Sequence, residues 1–323
     1  MTIRTKLNDL LGIEHPVLLA PMAGVSGGAL AAAVTQAGGL GQIGGGYGDA
    51  DWLSREFAAA GNARLGVGFI TWKLAQQPHL LDMVLERQPV AVFLSFGDAG
   101  SFAEPIRQSG SKLIMQVQTL DQARAAIDAG ADAIVAQGTE AGGHGGSRAT
   151  LPLVPAVVDI AGELPVIAAG GIADGRGMAA ALMLGAAGVL CGTAFFASDE
   201  ALSPEGAKTV ATAASGDHTL RSSVFDVARG LDWPGAWNLR TLRNHFSDRW
   251  AGEVESLKAD AAVQRDIYAS AAAKGDFDTA AVIVGEGVDL VMRREPAADI
   301  LTRMVAEAEA LLKAAPGYIA ARQ

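Results

Sequence analysis

The sequence predicts an α/β fold, a closed (β/α)8 TIM barrel with a small helical subdomain inserted near its C-terminal end. Eight short apolar segments alternate with helical segments over roughly the first two thirds of the chain, and such alternation is typical of parallel βαβ units. The apolar segments are continuous, as expected of strands that are covered by helices. Eight units favour a closed barrel over a doubly wound sheet.

The predicted elements follow one another without long gaps. The strands comprise residues 16–20, 40–43, 65–69, 90–95, 113–117, 133–136, 166–169 and 188–191. The helices between them comprise residues 29–37, 50–60, 80–87, 102–109, 120–129, 154–161 and 175–184. The last of these helices shows a helical period, because Met178, Ala181, Leu182 and Gly185 fall on one face. The active site of such a barrel lies in the loops at the carboxyl ends of its strands.

The segment after residue 204 differs from the barrel in composition. Trp233, Trp237 and Trp250 occur there among several arginines, and we expect packed helices with the arginines on the surface. Pro296 then precedes an amphipathic helix at residues 298–314, which is expected to complete the barrel. We therefore divide the chain into a barrel at residues 1–204, a helical subdomain at 205–290 that covers the site, and a returning C-terminal helix at 291–323.

Composition and charge argue against several classes of partner. The chain has 323 residues, 50% of them hydrophobic, and a formal net charge of −10. This balance argues against nucleic acid and against an anionic membrane surface. Two uncharged segments, residues 15–48 and 177–197, are interrupted by glycines, which favours buried strands and helices over membrane spans. The single cysteine, Cys191, excludes an internal disulfide and suits the cytoplasm, while a homo-oligomer is left open.

The segment from Gln137 to Gly146 carries the strongest functional signal. It follows a predicted strand, and four glycines flank His144 within it. Glycine allows positive φ angles and a close approach of the backbone to a flat or anionic ligand. Histidine is the side chain that exchanges a proton near neutral pH. We therefore predict that His144 is catalytic.

Two further loops predict a phosphate site. Gly170 and Gly171 close the seventh predicted strand, and Gly192 and Thr193 close the eighth. In this fold the loops after strands 7 and 8 commonly bind phosphate through backbone N–H groups. The other histidines are scattered without ligand spacing, so no metal site is expected.

One rival motif points to a different reaction class. The sequence Gly24-Val25-Ser26-Gly27-Gly28 matches the nucleophile elbow G-x-S-x-G and lies between a predicted strand and helix. A serine hydrolase with Ser26 as nucleophile is therefore a minor alternative. Ser26 is equally explained as the N-cap of the following helix, and the first strand is an unusual place for the elbow.

Several of these segments resemble the nitronate monooxygenases, formerly called 2-nitropropane dioxygenases. The segments are Ala20-Pro21-Met22-Ala23-Gly24, Ala37-Gly38-Gly39-Leu40-Gly41, Gln137-Gly138-x-Glu140-Ala141-Gly142-Gly143-His144 and Ala168-Ala169-Gly170-Gly171-Ile172-Ala173-Asp174-Gly175-Arg176-Gly177. The likeness covers most of residues 7–200, and the segment around His144 is the most specific. The region from 221 to 249 has no matching motif.

The resemblance implies an FMN-dependent enzyme that oxidises alkyl nitronates, such as propionate 3-nitronate, with O2 to a carbonyl compound and nitrite. It places His144 on the substrate side of the flavin. The other residues that it implies in FMN binding are Pro21, Met22 and Ala23 against the ring, Gln137, Gly142 and Gly143 beside it, and Gly170, Gly171, Cys191, Gly192 and Thr193 at the phosphate.

Two positions depart from the pattern of this family. Gly68 stands where many relatives carry Asn, and Gln116 stands where several carry Lys; both positions contact the cofactor in the family. Trp72 and Lys73 are expected to shape the pocket instead. FMN-dependent enoyl-acyl-carrier-protein reductases and NADH:quinone reductases share the same motifs, so an NAD(P)H-linked reductase stays open as the main alternative.

Overall fold

The computed structural model describes residues 3–319, and eight parallel strands form its centre. The strands of both sheets in the described chain are β1 (Val17–Leu19), β2 (Gln42–Gly46), β3 (Gly66–Ile70), β4 (Ala91–Ser95), β5 (Lys112–Val117), β6 (Ala133–Gln137), β7 (Gly143–Gly145), β8 (Val166–Ala169), β9 (Gly188–Cys191), β10 (Thr219–Ser222) and β11 (Asn238–Leu242). The large sheet has the order β1-β9-β8-β6-β5-β4-β3-β2. A bridge between Leu18 and Leu40 closes it, so the predicted (β/α)8 barrel is confirmed.

Helices alternate with the barrel strands. They are α1 (Lys6–Leu11), α2 (Gly28–Gln36), α3 (Ala50–Ala60), α4 (Thr71–Leu74), α5 (His79–Leu85), α6 (Gly100–Gln108), α7 (Leu120–Asp128), α8 (Thr150–Ala161), α9 (Gly175–Met183), α10 (Thr193–Phe196), α11 (Glu205–Thr212), α12 (Val224–Arg229), α13 (His245–Trp250), α14 (Val254–Ala259), α15 (Ala261–Lys274) and α16 (Ala297–Ala314). Three short 3-10 helices cover Gly216–His218, Glu286–Leu290 and Ala315–Tyr318. Helix α16 packs against α9 and α2, as expected for the helix that completes the barrel.

The core has two layers because strand residues point alternately to the two faces of the sheet. One layer fills the barrel interior with residues such as Leu18, Phe93, Ile114 and Ile167, and Leu7 of α1 packs among them. The other layer lies between the strands and the surrounding helices. The interior is therefore packed, and the space for a ligand is left at the ends of the strands.

The segment from 205 to 290 is not purely helical. It contains β10 and β11, which join β7 in a three-stranded antiparallel sheet of order β10-β11-β7. This sheet could not be predicted, because β7 is the tripeptide Gly-His-Gly and has no apolar alternation. We call residues 205–290 the insert and retain its boundaries as a proposal. Leu239 of β11 lies opposite His144 of β7, so the insert pairs directly with the glycine-rich loop.

Two barrel helices begin with side-chain caps. Asp49 caps α3 and Thr119 caps α7 through their side chains. Ser26 does not cap α2, whose N-cap is Gly27 without a side-chain bond. Within residues 3–319 no helix is both long and apolar enough to cross a bilayer.

Candidate active site

The carboxyl ends of the barrel strands surround a cleft of about 1230 Å³, counting its open mouth. Its walls consist mainly of glycine, alanine and apolar side chains from the barrel. Tyr47, Arg229, Trp233, Leu239 and Ile283 close it on the outer side, and four of these five belong to the insert or its final turn. The cleft thus lies where the fold predicts the active site.

Nearly all the predicted site residues come together in this cleft. His144 lines it together with Pro21, Met22, Ala23, Gly68, Gln116, Gln137, Gly142, Gly143, Gly170, Gly171, Gly192 and Thr193. Cys191 does not line the cleft, and its contact with a cofactor stays a prediction. Strand alternation points Leu190 into the barrel and the buried Cys191 toward the helices, where burial raises the pKa of its thiol to about 12.

Ser26 stabilises the first loop of the cleft. Its hydroxyl is fully buried, accepts a hydrogen bond from the N–H of Met22 at 2.7 Å and donates to the carbonyl of Met22 at 3.1 Å. These bonds fix the turn that carries Pro21, Met22 and Ala23. A buried hydroxyl with both roles occupied is not available to attack a substrate, so the hydrolase lacks its nucleophile.

Two arginines of the insert hold the glycine-rich loop. Arg221 and Arg240 each donate an Nε–H to the carbonyl of Thr139 at 2.9 Å, and Arg221 also donates to the carbonyl of Ala141 at 3.1 Å. Arg240 is 7% exposed and pairs with Glu286 at 2.8 Å. Burial lowers the pKa of Arg221 to about 10, with the nearby charge of Arg240 adding to it, so the side chain stays charged at neutral pH. The expectation that these arginines lie on the surface was wrong.

His144 forms a buried pair with Asp226. Its Nε2 lies 3.0 Å and 3.1 Å from the two carboxylate oxygens, and the residues are 7% and 3% exposed. The ring stacks on Trp233 with centroids 3.4 Å apart and planes 10° apart. Burial lowers the pKa of His144, and the bond to Asp226 opposes that shift without reversing it. The imidazole is therefore neutral at neutral pH.

The partner of Nε2 decides which tautomer the neutral ring adopts. A carboxylate can only accept, so the proton is on Nε2. Nδ1 then carries a lone pair, and it has no hydrogen-bond partner within the described chain. The geometry thus presents one basic nitrogen atom on a residue that lines the cleft.

Three glutamines at the ends of β5 and β6 form a hydrogen-bond network with the main chain of His144. Gln137 Oε1 accepts hydrogen bonds from Gln116 Nε2 at 3.1 Å and from Gln118 Nε2 at 2.9 Å. Gln137 Nε2 donates to the carbonyl of His144 at 3.1 Å. Gln118 Oε1 in turn accepts from Trp237 Nε1 at 3.0 Å. The network connects the ends of β5 and β6 to the main chain of β7 and to the insert.

The two departures from the family pattern fit local packing. A Cβ at Gly68 would lie 2.3 Å from the ring of Pro21, so a larger residue there would require the Pro21 turn to move. Gln116 donates its Nε2–H to Gln137 and lines the cleft. The rings of Trp72 and Trp233 meet edge to face with their centroids 5.5 Å apart, and Lys73 lies over the ring of Trp72. Trp72 and Lys73 therefore support the wall of the cleft through Trp233.

The other end of the cleft has the donors that a phosphate requires. Gly170 and Gly171 have φ angles of 104° and 73°, which favour glycine. Within residues 3–319 no acceptor takes the N–H groups of Gly171 and Thr193. The Thr193 hydroxyl accepts from the N–H of Gly285 at 2.8 Å and keeps its own proton free to donate. Unpaired N–H groups beside an apolar trough suit a flat cofactor with a phosphate tail, such as FMN.

Comparison with known proteins decides the family. A family model described as nitronate monooxygenase matches residues 4–66 and 67–307. The chain belongs to the nitronate monooxygenase family. A nitronate monooxygenase of Pseudomonas aeruginosa is 35% identical to this chain, and the match covers 94% of this chain and 98% of that protein. The fold also resembles that of FabK from Thermotoga maritima (TM-score 0.85, 32% identity, 98% and 100% covered) and a nitroalkane oxidase from Streptomyces ansochromogenes (TM-score 0.82, 29% identity, 96% and 99% covered).

The family match leaves one group of cleft residues outside any sequence motif. Tyr47, Asp226, Arg229 and Trp233 all contribute to the cleft or to His144, and three of them come from the insert. Asp226 and Arg229 are three residues apart on α12, and the pairing of β7 with β11 joins the insert that carries this helix to the glycine-rich loop. The one available signal was a pair of opposite charges within the short apolar helix Val224–Arg229.

Proposed function

We propose that this oxidoreductase of the nitronate monooxygenase family binds FMN and oxidises alkyl nitronates, such as propionate 3-nitronate, with O2 to a carbonyl compound and nitrite. The observation that carries the proposal is His144, which lines the glycine-rich cleft and forms a buried pair with Asp226. The unpaired N–H groups of Gly171 and Thr193 support FMN as the cofactor. The buried single cysteine agrees with the cytoplasm as the proposed location.

The cofactor and the protein divide the chemistry. Bound FMN supplies the acceptance of electrons from the substrate and their transfer to O2. Gly171, Gly192 and Thr193 would hold its phosphate, and the backbone of Pro21, Met22 and Ala23 would face its ring. His144 would lie on the substrate side, where Trp233 excludes water from one face of the imidazole.

The protonation state of His144 separates two forms of the substrate. A neutral nitroalkane can lose its acidic C–H proton to the lone pair on Nδ1, which produces the nitronate in the cleft. A preformed nitronate is already an anion, and its oxygens are repelled by that lone pair. Nitronate binding therefore requires His144 to take up a proton at Nδ1, after which the imidazolium donates to the anion.

This requirement predicts opposite pH dependences. Because burial lowers the pKa of free His144, kcat/KM for a preformed nitronate should fall as pH rises above that pKa. For the corresponding nitroalkane, kcat/KM should rise through the same pKa. Initial rates of oxygen uptake across pH, with each form added freshly, test the assignment; parallel profiles would contradict it.

A second candidate is an NAD(P)H-linked flavin reductase. FabK is about as similar to this chain as the nitronate monooxygenase of Pseudomonas aeruginosa is, so likeness of the barrel does not by itself select the electron donor. The deciding experiment is anaerobic addition of NADPH and then NADH to the flavin-loaded protein. Rapid loss of the flavin absorbance would favour the reductase. Persistent absorbance, followed by oxygen uptake with propionate 3-nitronate, would support the proposal.

A further inference from the structure

Trp233 of the insert covers one face of the His144 imidazole. The centroids of the two rings are 3.4 Å apart and their planes differ by 10°. Since stacked rings cannot approach much closer than this, the two rings lie almost directly over one another. Neutral aromatic rings prefer an offset stack or an edge-to-face contact to such an arrangement. A cation over the centre of an indole is instead attracted to the negative face of its π system, so the geometry suits the imidazolium better than the neutral imidazole.

The indole of Trp233 is fixed in this position by its neighbours. Its Nε1 donates a hydrogen bond to the Tyr47 hydroxyl at 3.1 Å. The rings of Tyr47, Trp72 and Phe96 meet it edge to face, with centroids 6.3, 5.5 and 5.1 Å away. Rotation of the indole away from His144 would break this hydrogen bond and these aromatic contacts. The stack on His144 is therefore built into the wall of the cleft.

The backbone of Phe96 points to the same pair of rings. Phe96 has a φ angle of 65°, in the left-handed region that a bulky side chain rarely occupies. In that conformation its ring contacts both His144 and Trp233 at steep angles, with interplanar angles of 72° and 81°. Strain of this kind persists where the surrounding structure enforces it, and it is concentrated at functional sites. The strain at Phe96 thus supports a functional role for the stack that its ring contacts.

The groups around His144 have opposing effects on its protonation. Burial lowers the pKa of the imidazole, Asp226 of α12 raises it through the bond to Nε2, and the charges of Arg229 and Arg221 lower it. Tyr47 adds no charge at neutral pH, because burial raises the pKa of its hydroxyl. A face of π electrons stabilises an imidazolium without introducing another ion into the cleft.

We propose that Trp233 is a positioning residue for proton transfer, whose indole face stabilises the imidazolium of His144 once Nδ1 has taken up a proton. When that proton comes from the C–H group of a nitroalkane, the electron pair of the broken bond stays on the substrate as the nitronate. The positive charge stays on the imidazole, between the carboxylate of Asp226 and the indole of Trp233. The inference rests on the proposed function for the source of the proton, whereas the stack acts on any proton that His144 accepts.

Fluorinated tryptophans inserted at position 233 test the π face separately from the shape of the side chain. Fluorine draws electrons from the face and leaves the size of the indole nearly unchanged, so the attraction for a cation weakens with each fluorine. Histidine-labelled, flavin-loaded protein is titrated by NMR, and His144→Ala identifies the signal. Across the series the acid dissociation constant of the His144 imidazolium should rise about tenfold. Trp250 is the matched control, because Arg249 lies over its ring, 4.4 Å from the centroid, and the pair does not line the cleft.

The pH dependence of turnover gives a second readout. A less basic Nδ1 should lower kcat/KM for the nitroalkane about 3-fold at high pH and move the pH at which kcat/KM rises to a lower value. Trp233→Phe should retain more of the wild-type behaviour than Trp233→Leu, because a phenyl ring still offers a π face and leucine offers none. A substitution that only loosens the insert would lower the rate without moving this pH.

The outcomes separate the role of Trp233 from the proposed function. If fluorination at position 233 leaves the titration of His144 unchanged or raises its pKa, the indole only excludes water and the inference is overturned, even in a protein that oxidises nitronates. An equal change from fluorination of Trp250 would overturn it as well. If the pKa of His144 falls with each fluorine and the protein oxidises neither nitroalkane nor nitronate, the stack acts as inferred and the proposed function fails.

Discussion

The barrel and the insert contribute different kinds of group to the cleft. The barrel supplies backbone and small residues: glycines at the ends of β3, β6, β8 and β9, and the turn around Met22. The insert supplies Asp226, Arg229 and Trp233, which contact or surround His144. His144 itself lies on β7, the strand through which the two regions pair. In the proposed function, the barrel is the platform for the cofactor, and the insert determines what is held above it.

The difference between barrel and insert has a physical basis. A flat cofactor is bound by close approach of the backbone and by backbone N–H groups, and glycine permits the conformations that bring these groups to the ligand. A substrate is selected by side chains whose charge and hydrogen bonds match it. One platform can thus serve several reactions if the insert changes. The predictions below test that division, starting with the residue at the junction.

The substitution His144→Ala should have the largest effect. Loss of the base at Nδ1 should lower turnover of nitroalkane about 1000-fold, within the usual range for general acid–base catalysis. FMN binding should change little, because the imidazole belongs to the substrate side of the cleft. Flavin absorbance after gel filtration and steady-state oxygen uptake give the two readouts.

The exposed His218 provides the control for His144. His218→Ala should retain both flavin and turnover. If His144→Ala instead loses its flavin, His144 contributes to cofactor binding. The proposed division, in which the barrel binds the cofactor and the insert selects the substrate, would then not hold at this residue.

Asp226→Asn should have the next largest effect and shows how the insert acts through His144. The amide can donate as well as accept, so it no longer fixes the proton on Nε2, and kcat/KM should fall about 30-fold. Asp226 raises the pKa of His144 against the effect of burial. Its removal should therefore move the lower limb of the nitroalkane pH profile to lower pH.

The pH profile separates positioning from simple damage to the fold. A variant that only loosens the insert would lower the plateau of kcat/KM for the nitroalkane and leave the pH at which kcat/KM rises unchanged. Asp232→Asn, at an exposed acid in the loop after α12, should change neither quantity. A limb that stays fixed in Asp226→Asn would contradict the assigned role.

The barrel could be predicted from sequence because its signals are local. Each strand is a short apolar run, and the helices between the strands are helical in period. The glycine-rich end of the cleft follows from this order, since glycines after successive strands must meet at one rim. The direction in which Cys191 points could not be predicted, because a motif does not indicate which way a strand residue points.

The insert could not be predicted because its contacts are distant in sequence. His144 and Asp226 are 82 residues apart, and Trp233 and Tyr47 are 186 apart. The strand that joins them, β7, is three residues long and consists of two glycines and the histidine. Arg221 and Arg240 were expected on the surface, and only the register of β10 with β11 shows that they point together toward Thr139.

Arg240→Met should affect stability more than chemistry. Arg240 bonds the Thr139 carbonyl and the Thr219 hydroxyl and pairs with Glu286, so its removal breaks three polar contacts of a buried guanidinium. We expect the free energy of unfolding to fall by about 2 kcal/mol, measured by urea titration. Arg243→Met, at an exposed ion pair with Asp248, should cost less than about 1 kcal/mol. Equal losses would mean that the arginines do not join the insert to the loop.

Cys191→Ala should have the smallest effect and tests the cofactor end of the comparison. Because the thiol packs between the sheet and its helices, its loss should cost about 1 kcal/mol of stability and leave FMN affinity unchanged. Thr193→Ala, two residues later, should weaken FMN binding several-fold, because it removes the hydroxyl that lines the cleft. Equilibrium dialysis with FMN distinguishes the two variants. If Cys191→Ala and Thr193→Ala lose the same FMN affinity, the end of β9 acts as one unit in FMN binding. Binding would then depend on side chains packed behind the glycines as well as on the backbone.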